Sequence, residues 1–153
     1  MTDVDGVLTD GGMYYTNKGD IMKKFFTRDG MGVTLLRKNN IPTIIVTKEQ
    51  TIIVKQWAKR MKIAKLYDGI VQKESILDSI CRDYKVTAQE IAYIGDDVND
   101  VGLLKLVGLA AAPRDGISKV RSISDYICKK GGGNGAFREL ADIILDAKSH
   151  NKA

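Results

Sequence analysis

Two aspartates stand two residues apart near the start of the chain, in the run Thr2-Asp3-Val4-Asp5-Gly6. In an extended segment residues i and i+2 project to the same side. Asp3 and Asp5 can therefore face one reacting group, as an acid pair with division of labour. A second acidic cluster ends an apolar run far downstream, where Ile91-Ala92-Tyr93-Ile94 leads into Gly95-Asp96-Asp97 and then Asp100. Between the two, another apolar run ends at Thr47, a hydroxyl donor, and Lys73 offers a fixed cation just ahead of a helical pattern. Oxygen donors with no histidine or cysteine among them suit a hard divalent cation, Mg²⁺.

The elements that must position these side chains alternate. Met13 to Thr16 and Ile21 to Thr27 are β-prone and joined by Asn17-Lys18-Gly19-Asp20, a hairpin signal spanning about 13–27. Asp29 is placed to cap a helix running to about Asn39. Pro42 to Thr47 reads as a strand, Gln50 to Lys62 as an amphipathic helix, Leu66 to Ile70 as a strand and Glu74 to Tyr84 as a helix. Thr87-Ala88-Gln89-Glu90 has the form of a capping box on a short turn. Ile91 to Gly95 is a strand, Asp100 to Val107 a helix, Leu109 to Ala112 and Tyr126 to Cys128 strands, and Ala136 to Lys148 a final helix. This alternation predicts an α/β fold, a Rossmann-like three-layer sandwich with a central parallel sheet and a protruding β-hairpin. Ligands bind beyond the carboxyl ends of such strands, where Asp3, Thr47 and Asp96 would meet. With Asp3 the third residue, the first strand is expected to be a stub or to have been cropped. The glycine-rich stretch at 131–135 reads equally as a plain flexible turn or a functional loop.

The 153 residues correspond to a single domain, 1–153, with enough chain for a real core. Cys81 and Cys128 lie far apart without ligand-spaced neighbours, which predicts neither a zinc site nor a disulfide framework and fits a reducing cytoplasm. No run approaches the ~20 apolar residues of a membrane span, and no targeting segment is visible, so a soluble cytoplasmic protein without a membrane role is expected. The net charge is +5, spread through helical stretches such as Lys55, Lys59, Arg60 and Lys62. Without a block of basic residues interleaved with aromatics, this reads as a solvated surface and not as a nucleic-acid footprint, although it would help draw in a small anion.

In order, Asp3-Val4-Asp5, Thr47, Lys73 and Gly95-Asp96-Asp97-Val98-Asn99-Asp100 resemble the motifs of the haloacid dehalogenase superfamily over nearly the whole chain. That resemblance implies Mg²⁺ held by Asp3, Asp96 and the Asp5 carbonyl. It implies that Asp3 attacks phosphorus to give an aspartyl phosphate, while Asp5 protonates the leaving alkoxide and later deprotonates the attacking water. Thr47, Lys73 and the amides of Val4 to Gly6 would hold the phosphoryl oxygens. Asp97 and Asp100 would orient the metal's waters and Lys73.

Only about 20 residues, reading as a hairpin, separate the Asp-x-Asp turn from the first helix, too few for a cap domain. Among capless members the chain resembles the phosphatases of eight- and nine-carbon 2-keto-3-deoxy sugar acids, in Asp3 to Gly12, in Tyr93 to Asp100 and in Gly135-Ala136-Phe137-Arg138-Glu139. In that group four subunits assemble through their hairpins. Met13, Tyr14, Tyr15, Ile21, Met22, Phe25 and Phe26 leave both hairpin faces partly apolar, as a homotetramer would require. The octulosonate 8-phosphate enzymes usually read Thr-Gly-Arg and Gly-Gly-Arg-Gly where this chain has Thr47-Lys48-Glu49 and Gly133-Asn134-Gly135. A glutamate at that position resembles the nonulosonate 9-phosphate enzymes. The resemblance therefore favours a nine-carbon, sialic-acid-type ester in surface-polysaccharide or sialic acid biosynthesis. The 3-deoxy-D-manno-octulosonate 8-phosphate phosphatases stand as the alternative, followed by a non-catalytic tetramerising domain of an acylneuraminate cytidylyltransferase. Glu49 and Arg60, eleven apart, would share one helical face near substrate. Lys48 is a further candidate contact, and Arg138 would meet a substrate carboxylate in the next subunit or cap the last helix.

Overall fold

A computed structural model describes residues 1–150. Its regular elements are β1 (Tyr14–Thr16), β2 (Gly19–Met22), α1 (Thr27–Lys38), β3 (Ile44–Val46), α2 (Ile52–Met61), β4 (Lys65–Tyr67), α3 (Leu77–Tyr84), β5 (Ala92–Ile94), α4 (Val101–Leu104), β6 (Leu109–Ala112), α5 (Ser118–Ile123), β7 (Tyr126–Ile127) and α6 (Ala136–His150). β3 pairs with β4, β5 with β6 and β6 with β7, all parallel. The two parts of the sheet meet at Thr2, which forms parallel bridges to Ile45 on one side and Ile94 on the other. The Thr2 amide donates to the Ile44 carbonyl and the Asp3 amide to that of Ile94, both at 3.0 Å. The Met1–Thr2 segment thus occupies the central position of the sheet at its carboxyl end. Toward the other end a cavity of about 340 Å³ opens beneath Met1, lined by Ile44, Ile80, Ile91, Phe137 and Leu140.

Side chains alternate along the strands, as period-two geometry requires for a sheet buried on both faces. Ile45, Ile94 and Ala111 point into a core formed with Val33 and Leu36 of α1, Val54 and Ala58 of α2, and Phe137 and Leu140 of α6. Ile44, Val46, Tyr93, Ala110 and Ala112 point to the opposite core, formed with Leu77 and Ile80 of α3, Leu103 and Leu104 of α4 and Val120 of α5. The result is the three-layer sandwich, with no cap domain among the described residues and with the β1–β2 hairpin standing off it. The hairpin is antiparallel, with an irregularity between Tyr14 and Tyr15.

Several local expectations change. Asp29 does not cap α1, whose first residue is Thr27; it lies buried inside that helix's first turn. Its carboxylate instead accepts from the Arg138 amide at 2.8 Å, in the first turn of α6. Burial pushes the Asp29 carboxyl up to about 6, against the amides that hold its charged form. The helix expected from Asp100 to Val107 shrinks to a 3-10 turn at Val98–Asp100 followed by α4, and α5 was not anticipated. The capping box at Thr87 is present, with Glu90 accepting from the Thr87 amide at 2.9 Å. The glycine-rich stretch is not a loose turn. The Gly133 amide donates to the Val7 carbonyl at 2.9 Å, and a Cβ on Gly132 would run into the Gly6 carbonyl. These glycines let one backbone lie directly on the turn that carries Asp5. Among the described residues no helix is long and apolar enough to cross a membrane.

Candidate active site

The three central strands end at one edge of the sheet, and the acidic groups of the sequence converge there. Asp3 leaves the stub, Thr47 follows β3, and Asp96 follows β5. Together with Asp5, Lys48, Glu49, Asp97, Val98 and Asn99 they line a cleft of about 270 Å³. Gly6 turns the chain beneath it with a φ of +86°, where any Cβ would collide with the Asp96 carboxylate. Glycine is what allows Asp5 and Asp96 to approach across this turn.

Lys73 sits under the cleft floor, fully buried at the start of a 3-10 turn. Its ammonium is 2.8 Å from Asp3 Oδ1 and 2.6 Å from Asp100 Oδ1. The Tyr93 hydroxyl donates to the same Asp100 oxygen at 2.5 Å and accepts from Lys73 at 3.3 Å. The other Asp100 oxygen accepts from the amides of Asp96 and Asp97, at 2.9 and 3.2 Å. With both oxygens engaged, Asp100 acts as a buttress that fixes Lys73 and shapes the loop carrying Asp96. Asp97 caps its own turn, accepting from the Val98 amide at 2.6 Å, and among the described residues Lys73 pairs with Asp3 and Asp100 and not with Asp97. Tyr93 was read from the sequence only as part of a strand.

Oxygens of Asp3, Asp96 and Asp100 lie within 4.8 Å of one another. Burial and repulsion from Asp100 push the Asp3 carboxyl up to about 7, against the pull of Lys73. Burial and repulsion from Asp3, Asp100 and Asp97 push Asp96 up to about 8. Asp96 Oδ1 is buried without a hydrogen-bond partner. Buried carboxylates that repel one another, one with an orphaned oxygen, fit a hard divalent cation bound between Asp3 and Asp96.

Asp5 lies on the rim, its side chain 30% exposed. Oδ1 accepts from Lys23 Nζ at 2.7 Å and from the Thr9 hydroxyl at 3.4 Å. Lys23 also meets Asp20 at 3.0 Å. Burial opposes its charge, but the attraction of the Asp5 and Asp20 carboxylates more than offsets that and raises its pKa, so Lys23 is a cation. Sequence reasoning missed Lys23 because it stands in a run read for its apolar alternation, and nothing local links it to Asp5, 18 residues earlier.

The four candidate substrate contacts separate. Lys48 and Glu49 line the cleft, but Arg60 lies in another hollow with Phe26, Met31 and Trp57. The shared helical face expected for Glu49 and Arg60 does not exist. α2 begins only at Ile52, capped by Thr51 accepting from the Val54 amide at 3.2 Å, so Glu49 is in a loop where helical spacing does not apply. Arg138 does not line this cleft either. It lines a separate hollow with Arg28, Tyr126 and Lys130, its guanidinium donating to Asp142 at 2.7 Å.

A family model described as haloacid dehalogenase-like hydrolase matches residues 36–140. The 3-deoxy-D-manno-octulosonate 8-phosphate phosphatase of Haemophilus influenzae is 34% identical over 148 residues, covering 97% of this chain and 82% of that protein. The cobalt-bound structure of the Haemophilus influenzae deoxy-D-mannose-octulosonate 8-phosphate phosphatase superposes with a TM-score of 0.94 at 34% identity, over 97% of this chain and 86% of that one. The Moraxella catarrhalis 3-deoxy-D-manno-octulosonate 8-phosphate phosphatase, solved with magnesium, phosphate and KDO, gives a TM-score of 0.91 at 34% identity over 95% and 84% of the two chains.

Proposed function

The chain belongs to the haloacid dehalogenase-like hydrolase family and is a phosphomonoesterase, and from that premise we propose that residues 1–153 form one catalytic unit hydrolysing 3-deoxy-D-manno-octulosonate 8-phosphate. The observation that carries the chemistry is the orphaned, buried Asp96 oxygen beside an Asp3 already neutralised on one side by Lys73. Asp3, Asp96 and the Asp5 carbonyl would hold Mg²⁺, which when bound would offset the repulsion between these carboxylates and a phosphate dianion. Asp3 is then the nucleophile: a bond forms between its free oxygen and phosphorus as the ester P–O bond breaks, and Asp5 delivers a proton to the leaving alkoxide. Asp5 next takes a proton from water, whose oxygen attacks phosphorus and releases Asp3. Thr47, on the cleft wall, would donate to the phosphoryl oxygens, and Lys73, beneath the floor, would offset their charge through Asp3. Asp100 and Tyr93 hold Lys73 in register.

The choice of an eight-carbon ester revises the nine-carbon preference drawn from Glu49. Its support is the 34% identity, over nearly the whole chain, to a phosphatase of that name. The nine-carbon reading keeps one favouring observation, the presence of Glu49 on the cleft wall. Side-by-side hydrolysis of the octulosonate 8-phosphate and a nonulosonate 9-phosphate at saturating Mg²⁺ separates them. A kcat/KM about tenfold or more higher for the eight-carbon ester is expected, equivalent to about 1.4 kcal/mol of discrimination; the reverse order transfers the assignment.

The assembly we propose is a homotetramer built through the hairpin, in a reducing cytoplasm that matches two free thiols. Met13, Tyr14, Tyr15, Ile21 and Met22 are all about half exposed or more, an apolar concentration that water disfavours. Phe25 is excluded from that surface, since it stacks on Trp57 with ring centroids 4.6 Å apart. Tyr15→Glu combined with Ile21→Lys is expected to convert the tetramer to smaller species in sedimentation velocity. A wild-type chain that sediments as a monomer at micromolar concentration removes this assembly.

A further inference from the structure

We propose that Lys23 is a positioning residue for Asp5, a clamp that presents one carboxylate oxygen of the acid–base group to the leaving group. The inference rests on the acid–base role given to Asp5 above. Every hydrogen bond that the Asp5 carboxylate accepts among the described residues falls on Oδ1, from Lys23 and from Thr9. That leaves Oδ2 without a hydrogen-bond partner among those residues, on a side chain that lines the cleft with Asp3 and Thr47. A carboxyl group on a turn rotates freely unless something holds it, and acid–base transfer tolerates only small errors in position.

The clamp is itself anchored. The Lys23 side chain is 1% exposed, and its second partner, Asp20, is 9% exposed with neither oxygen in a well-formed hydrogen bond. Lys23 is thus the cation within reach of two carboxylates of different segments, the Asp5 turn and strand β2 of the hairpin. The surrounding backbone is zipped in register, with Thr9 bridging Phe25 antiparallel and Lys24 reaching Asp10 at 3.5 Å. Stability alone is a weak reason for this arrangement. Withdrawing a lysine and an aspartate from water costs about as much as their attraction returns, and apolar replacements are often neutral. Orientation of Asp5 gives the pair a reason to be there. It also makes the hairpin, through Asp20 and Lys23, part of the catalytic geometry.

Esters of different leaving groups test this in the full chain with Mg²⁺ present. An alkyl ester such as β-glycerophosphate needs a proton on its departing oxygen, whereas p-nitrophenyl phosphate releases a stable anion without one. The quantity to compare is kcat/KM, which reports transfer to Asp3 and not the later hydrolysis common to both esters. Lys23→Met is expected to lower it by on the order of 10²-fold for the alkyl ester, the low end of acid–base contributions, and to leave the aryl ester little changed. A loss of equal size on both esters, or on neither, overturns the clamp. Should Lys23→Met not fold, Asp20→Asn cuts the anchor while keeping the Lys23–Asp5 pair; it should show the same ordering at smaller size, and equal effects on both esters again overturn the proposal. Asp5→Asn serves as the reference. If it too fails to discriminate between the esters, the role of Asp5 falls and the clamp with it; if it discriminates and Lys23→Met does not, only the clamp falls.

Discussion

Asp3→Asn is expected to lower kcat/KM by on the order of 10⁴-fold or more while leaving a folded protein. Loss of a covalent nucleophile removes the reaction path itself, and its cost is of that scale in other enzymes. The amide has nearly the shape of the carboxylate, and its oxygen can still accept from Lys73, which now holds Asp3 at 2.8 Å. Removing a charge that burial and Asp100 already disfavour should not weaken the metal-free fold near neutral pH, because these forces push the Asp3 carboxyl up to about 7. Steady-state hydrolysis of p-nitrophenyl phosphate, with thermal melting alongside, checks both parts. Mass spectrometry of quenched wild-type enzyme should show a phosphoryl group on Asp3 that is missing in the variant. Retention of more than about a hundredth of the activity, with unaltered folding, removes Asp3 as the nucleophile.

The pieces of this site that could be read from the sequence are those whose chemistry is local or whose order along the chain is diagnostic. Asp3 and Asp5 two apart, Thr47 at a strand end and Asp96 after an apolar run all reach the cleft because parallel strands bring their carboxyl ends to one edge. Strands alternating with helices along the chain anticipate a parallel sheet covered on both faces, and the two cores confirm it. What could not be read depends on contacts between distant segments. Asp29 looks like the cap of its own helix but serves an amide 109 residues away. Lys23 appears as one polar residue in an apolar hairpin until the fold lays that hairpin beside Asp5. Glu49 and Arg60 illustrate the converse error, in which a spacing rule was carried across a helix boundary that Thr51 sets. The glycines at 131–135 have no periodic signature; Gly132 and Gly133 are needed because they lie against the turn below.

Lys73→Met is expected to destabilise the metal-free protein by about 3–5 kcal/mol near pH 9, the cost of leaving buried carboxylates without their cation. Lys73 is the buried ammonium between Asp3 and Asp100, with side chains 0%, 6% and 0% exposed. The pH dependence follows from the direction of the neighbouring shifts. Asp3 and Asp96 have folded-state pKa values raised to about 7 and about 8, above their value of 3.8 in model compounds. Groups raised in this way bind protons more tightly when folded, so their contribution to stability is fully present below pH 3.8 and is lost as pH rises through about 7 and 8. In the variant the attraction that lowers the Asp3 pKa is gone, so protonation relieves more of the strain. The penalty should therefore be clearly smaller near pH 6 than near pH 9. Mg²⁺ should recover part of the loss at high pH, since a cation between Asp3 and Asp96 takes the place of the missing protons and binds only the folded site. Urea midpoints of wild type and variant at the two pH values, with and without Mg²⁺, measure all three effects. An equal penalty at both pH values would mean that Lys73 contributes packing alone, and that the carboxylates around it are not held in opposition by the fold.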